Sequence, residues 1–218
     1  KLVGEAIRGR RERVFLVSKV YPHNAGRKAA QAACERSLRR LGIECLDLYL
    51  LHWRGSEPFA ETIEAFETLK AQGKIRHWGV SNLDTEDLQE WVDTPGGAAV
   101  AVDQVLYNLT QRGIEWDLLP WCQKRQIPIM AYSPIEQARL LRHSGLCELA
   151  GRLGMTPAQV ALAWLLQRDA VIAIPKTSTR QHLEENFAAL RFSLEADAVA
   201  ELDRLFPPPR RATPLAML

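Results

Sequence analysis

The chain has 218 residues, 47% of them hydrophobic and 25% charged, and a formal net charge of +2. That balance suits one globular domain, residues 1–218, with a substantial core, and it carries too little positive charge to suggest a nucleic-acid or membrane-surface partner. No run of about 18 apolar residues could span a bilayer, and nothing resembles a signal peptide, so a cytoplasmic setting is expected.

The first predicted element is a helix: in KLVGEAIRG, Leu2, Val3, Ala6 and Ile7 recur at helical spacing. The basic run Arg8, Arg10, Arg11 and Arg13, broken by Gly9 and Glu12, reads as a solvated turn before a strand. The predicted strands follow in order: VFLVSKV (14–20), LDLYLL (46–51), IRHWGV (75–80), VAVDQVL (100–106), IPIMAY (127–132) and AVIAI (170–174). Helical sequence follows each of them. Ala30, Cys34, Leu38 and Leu41 mark one apolar helix face, and Phe59, Ile63, Phe66 and Leu69 another, with Gly73 at the position just past its end. Asp84 heads TEDLQEW, and Thr156-Pro157-Ala158-Gln159 combines a capping Thr, a Pro at N1 and a Gln at N3. The cysteines, Cys34, Cys45, Cys122 and Cys147, have neither paired nor metal-ligand spacing, which fits a reducing compartment.

Six alternations of strand and helix predict a parallel α/β sheet, either doubly wound or closed into a barrel. A dinucleotide-binding open sheet needs G-x-G-x-x-G after its first strand, whereas Gly96-Gly97, the close glycine pair, precedes a strand. The expectation is therefore a (β/α)8 TIM barrel of which about six βα units are present. Two further units, about 30 residues each, are expected upstream. Lys19 and His52 each close an apolar strand, at the end where such barrels build their sites. A lysine there is costly to bury unless a partner or a function holds it.

SKV (18–20), SLRRLGIECLDLYLLHW (37–53), GKIRHWGVSN (73–82), DQVLYN (103–108), AYSPI (131–135), TPAQVALAW (156–164) and IPKTSTRQHLEENF (174–187) together resemble an aldo-keto reductase. NLTQRGIEWDLLPWC and the tail AELDRLFPPPRRATPLAML are similar to the bacterial branch of methylglyoxal reductases. The resemblance implies hydride transfer from NADPH, with NADH possible, to a small aldehyde or α-oxoaldehyde, the oxygen being protonated by a tyrosine. It implies that His52 orients the carbonyl and that Lys19 lowers the tyrosine's pKa. The family's Asp and Tyr belong to a strand upstream, so the chain as written is expected to be inactive and the full-length protein an active monomer. For the cofactor it implies that Ser81, Asn82 and Gln104 hold the carboxamide and that Tyr132 stacks on the nicotinamide. Ser133, Ile135 and Gln137 fall at the pyrophosphate, Lys176, Thr177 and Ser178 at the 2′-phosphate, and Glu185 and Asn186 at the adenine. His182 stands where the family usually has an arginine, and Glu136 where it commonly has a glycine. Tyr21 and Trp53 are expected to wall the substrate pocket, and no metal is expected. Two other readings fit some of these residues: a non-catalytic module that senses nicotinamide cofactor, and an unrelated barrel that binds a phosphate ester through Lys176.

Overall fold

A buried carboxylate shapes the start of the sheet. Strand β1 covers only Val17–Val20 of the predicted VFLVSKV, because the Leu16 amide donates to Asp47 Oδ2 at 2.7 Å instead of extending the ladder. Asp47, 2% exposed, also meets the Arg11 and Arg76 guanidinium groups at 2.8 and 3.0 Å. Arg11 is thus a structural anchor within the basic run, where the sequence alone suggested a solvated turn; its guanidinium further donates to the Val14 and Cys45 carbonyls.

The computed structural model describes residues 1–218 and divides into two compact units, Lys1–Asp103 and Gln104–Leu218. In the first unit, helix α1 (Leu2–Ala6) precedes β1, and α2 (Arg27–Leu41) leads to β2 (Leu46–Leu51). Helix α3 (Phe59–Ala71), β3 (Ile75–Ser81) and α4 (Thr85–Asp93) follow. The three strands are parallel and lie in chain order, with Lys19 opposite Leu50 and Leu50 opposite Gly79. The predicted helix faces are the buried ones, Ala30, Cys34 and Leu38 on α2, and Phe59, Ile63, Phe66 and Leu69 on α3, except that Leu41 at the end of α2 is only partly buried. Gly73 has the left-handed φ of +70° expected just past a helix end. Phe66, Trp78 and Trp91 form the aromatic centre of this core, with neighbouring ring centroids 6.0 Å apart. The Gly96-Gly97 pair serves packing: Gly96 has φ +85°, and a Cβ on Gly97 would fall 1.8 Å from the Trp91 carbonyl oxygen.

The second unit begins within β4 (Asp103–Leu106) and continues through α5 (Leu118–Lys124), β5 (Ile129–Tyr132), α6 (Ser144–Leu153) and α7 (Pro157–Leu166). Then come β6 (Val171–Ala173), α8 (Arg180–Ala188) and α9 (Ala196–Leu205). Strands β5 and β6 are parallel, with Ile129 opposite Val171. Arg112, 6% exposed, organises this unit. It donates to both carboxylate oxygens of Glu115 and to Asp203 of α9, and its guanidinium carbon lies 5.0 Å from the Trp164 ring centroid. The Tyr107 hydroxyl completes the cluster by donating to Glu115 at 2.8 Å. The fold class is α/β of the (β/α)8-barrel kind, with six βα units present.

Candidate active site

In the first unit, parallel pairing aligns the ends of two apolar strands. Val20 lies opposite Leu51, and the His52 amide donates to the Val20 carbonyl at 3.0 Å, so Lys19 and His52 emerge at the same end of neighbouring strands. Two aromatic residues just beyond them, Tyr21 two positions past Lys19 and Trp53 one past His52, join them. The Tyr21 ring lies 5.2 Å from that of His52 and 5.5 Å from that of Trp53, while the His52 and Trp53 centroids are 4.4 Å apart. Tyr21 is 52% exposed, which leaves this aromatic group open to solvent on one side.

Burial depresses the basicity of both functional groups. Lys19 is lowered from the ordinary lysine value by desolvation, with the charge of Asp103 opposing. His52 is lowered by desolvation and then by the positive charge of Lys19, so its imidazole is neutral at physiological pH and can donate one N–H. At the end of β3, Ser81 is fully buried. Asn82 follows with a left-handed φ of 55°, and its Nδ2 donates to the His52 carbonyl at 3.1 Å and to Ser81 Oγ at 3.2 Å. The carboxamide-binding candidates of this unit are therefore tied to the backbone of the candidate catalytic histidine.

Asp103, at the first position of β4, was not singled out from the sequence. It is fully buried, and burial drives its carboxyl well above the usual range. The Leu83 amide and Lys19 oppose that shift, and Asp84 and Asp87 reinforce it. The signal that exposed Lys19, a charged residue inside an apolar strand, was equally present in VAVDQVL.

The second unit holds a cavity of about 510 Å³. Ser133, Ile135 and Gln137 line one side, and Lys176, Thr177, Ser178, His182, Glu185 and Asn186 also line it, so nine of the residues expected to bind cofactor share one space. The first turn of α7 contributes Thr156, Pro157 and Ala158. Gln159 of the same turn donates to the Glu185 carbonyl at 3.2 Å and so couples α7 to α8. Helix α8 is capped by Thr179, whose Oγ accepts from the His182 amide at 3.3 Å. The segment Lys176–Ser178 runs into that N-terminus, combining a cation, two hydroxyls and the positive end of a helix, a donor set suited to a phosphate monoester. Two cofactor candidates of this unit stand outside the cavity lining. The Gln104 amide points at Met130 Sδ, 2.8 Å away, and the half-buried Tyr132 accepts at its hydroxyl from the Leu218 amide at 3.4 Å. Glu136, whose charge would repel a phosphate, is 7% exposed and turned inward, where it accepts from Asn108 at 2.7 Å and from Arg139.

Residues 1–206 match the model of the aldo/keto reductase family. The whole chain is 53% identical to methylglyoxal reductase YeaE of Escherichia coli, covering 78% of that protein. It is 36% identical to a glyoxal reductase of Bacillus subtilis, over 89% of this chain and 69% of the relative. Among solved structures, an aldo/keto reductase from Klebsiella pneumoniae in complex with NADP and acetate superimposes with a TM-score of 0.98 at 54% identity, over all of this chain and 78% of that one. The same coverage, identity and TM-score hold for an aldo-keto reductase of that organism in complex with NADPH.

Proposed function

Because the chain belongs to the aldo/keto reductase family, we propose that it is an NADPH-dependent oxidoreductase whose substrates are small aldehydes and α-oxoaldehydes of the methylglyoxal type. The observation that carries the reading is the pairing of Lys19 and His52 at matched ends of β1 and β2, with Tyr21 and Trp53 beside them. Bound NADPH supplies the hydride. The neutral imidazole of His52 donates a hydrogen bond to the carbonyl oxygen and fixes its direction. By resemblance to the family, Lys19 favours ionisation of the tyrosine whose phenol gives its proton to the carbonyl oxygen as the hydride arrives, which completes the alcohol. Asn82, held to the His52 carbonyl, keeps the imidazole's backbone in register with β3 and, with Ser81, binds the carboxamide.

In the second unit, the resemblance to the family assigns Gln104 to carboxamide binding and Tyr132 to the nicotinamide face. The fit to a dinucleotide rests on the cavity of about 510 Å³ and on the donors of Lys176, Thr177 and Ser178 beside the α8 N-terminus. His182 in place of an arginine narrows the margin for NADPH over NADH, because a histidine is a weaker and pH-dependent phosphate partner. The open Tyr21–Trp53 group suits a small substrate, and the relatives named for methylglyoxal and glyoxal reduction support the same class.

The test is consumption of NADPH by the full-length protein on addition of methylglyoxal. In the full-length protein, Lys19→Met is expected to abolish turnover while leaving NADPH affinity within about twofold, since the lysine is assigned to proton transfer and not to the nucleotide. Wild-type turnover in that variant would remove Lys19 from the mechanism. A full-length protein that binds NADPH yet reduces neither methylglyoxal nor glyoxal would overturn the substrate class.

A further inference from the structure

Between β5 and α6 the backbone takes a conformation that ordinary residues avoid. Ser133, Glu136, Gln137 and Ala138 have φ of 50°, 49°, 52° and 68°, so four non-glycine residues within six are left-handed. Side chains with a Cβ are strained there and persist in that region only where their surroundings over-determine them.

The constraint is visible and lies behind the segment. Asn108, fully buried, donates through Nδ2 to the Ser133 carbonyl at 2.9 Å and to Glu136 Oε2 at 2.7 Å. Its own Oδ1 accepts from the amides of Thr110 and Gln111 and from the Thr110 hydroxyl, so the amide cannot turn. Glu136 Oε1 accepts from Arg139, closing the segment from its far end. The same stretch presents Ser133, Ile135 and Gln137 to the cavity.

We propose that Asn108 and Glu136 are positioning residues for the dinucleotide: they hold Ser133 and residues 136–138 in the left-handed conformation that shapes the diphosphate-facing wall, without touching the cofactor themselves. The inference rests on the NADPH reading above. Glu136 substitutes by hydrogen bonding for the conformational freedom that a glycine would supply at the same position. That explains why an acidic side chain is tolerated next to a phosphate site: its charge is directed inward to an amide and a guanidinium.

The experiment compares NADPH binding, by fluorescence titration, in the wild type and in Glu136→Ala, Glu136→Gly and Arg139→Ala variants, with adenosine 2′-monophosphate as a second ligand. Glu136→Ala loses the tether and keeps the strain, so its NADPH affinity should fall about tenfold or more. Glu136→Gly loses the same charge but is unstrained, and should recover to within about threefold of wild type. The monophosphate, assigned to the Lys176 end, should bind all variants alike. Equal weakening by Ala and Gly would mean that the charge matters and not the conformation, and would overturn the proposal, as would a Glu136→Ala protein within twofold of wild type. Should Glu136→Ala fail to fold, Arg139→Ala decides: it alters an exposed side chain, should weaken NADPH about threefold, and would overturn the proposal if it changed nothing. A wild type that binds no NADPH would overturn both this inference and the cofactor assignment, whereas one that binds normally while Glu136→Ala is unaffected overturns this inference alone.

Discussion

The proposed assignment of Lys176 to a 2′-phosphate makes one ammonium group the difference between NADPH and NADH. Lys176 borders the cavity beside the α8 N-terminus, and a charged hydrogen bond to phosphate is worth roughly 1.5–3 kcal/mol. Lys176→Ala should weaken NADPH by that amount and leave NADH unchanged; equal losses measured for both cofactors would remove the lysine from the 2′-phosphate. Asp103 offers a prediction of a different kind. Its carboxyl is held well above the ordinary range, first by burial. A carboxyl raised in the folded state contributes stability that is fully present below the unfolded value of about 3.9 and is lost as pH rises from there through the folded value. Asp103→Asn, neutral at every pH, escapes that loss. Its melting temperature should therefore gain on the wild type as pH is raised above about 4, and a gap between the two that does not vary with pH would show that folding leaves the carboxyl unshifted.

At the scale of elements, the capping box that opens α7 bears on both stability and the cavity. Thr156 Oγ accepts from the Gln159 amide at 3.2 Å, and Gln159 Oε1 accepts from the Thr156 amide at 2.9 Å. Thr156→Ala should cost about 1 kcal/mol in chemical denaturation, and a loss below a few tenths would mean that burial alone holds this helix. The box was legible in the letters TPAQ because capping is local chemistry. Strand ends were less legible: VFLVSKV, VAVDQVL and IPIMAY each lost residues at the front. In the first of these, Asp47, some 30 residues later, takes the Leu16 amide. Site residues at strand tips could be read, since a lysine or histidine ending an apolar run stands out by itself. Glu136 could be located but not oriented, because its direction depends on Asn108, 28 positions earlier. Asp103 was overlooked within a run that otherwise reads as ordinary buried strand.

For the molecule as a whole, the division into two compact units was not legible, since no change in composition marks Asp103–Gln104. Acid sensitivity of the first unit should centre on Asp47. Burial opposes its charge, but the Leu16 amide and the Arg11 and Arg76 guanidinium groups prevail and hold the carboxyl below the ordinary value. A carboxyl lowered in this way contributes stability that is present above about 3.9 and lost as pH falls through the folded value. Asp47→Asn should accordingly be less stable than wild type at neutral pH, with the difference in urea midpoint closing as the solution is acidified. A difference that persisted unchanged at low pH would place the source of that stability elsewhere.

The matched register of β1 and β2 has one more consequence, for how the chain tolerates change in length. Successive side chains of a strand face opposite ways, and Lys19 and His52 owe their shared end to the pairing of Val20 with Leu51. Deleting one residue between Val17 and Lys19 would leave composition and hydropathy almost untouched. It would nonetheless either send the ammonium to the opposite face or draw it a residue short of the strand end, so this site should withstand most substitutions in its supporting strands far better than a single insertion or deletion.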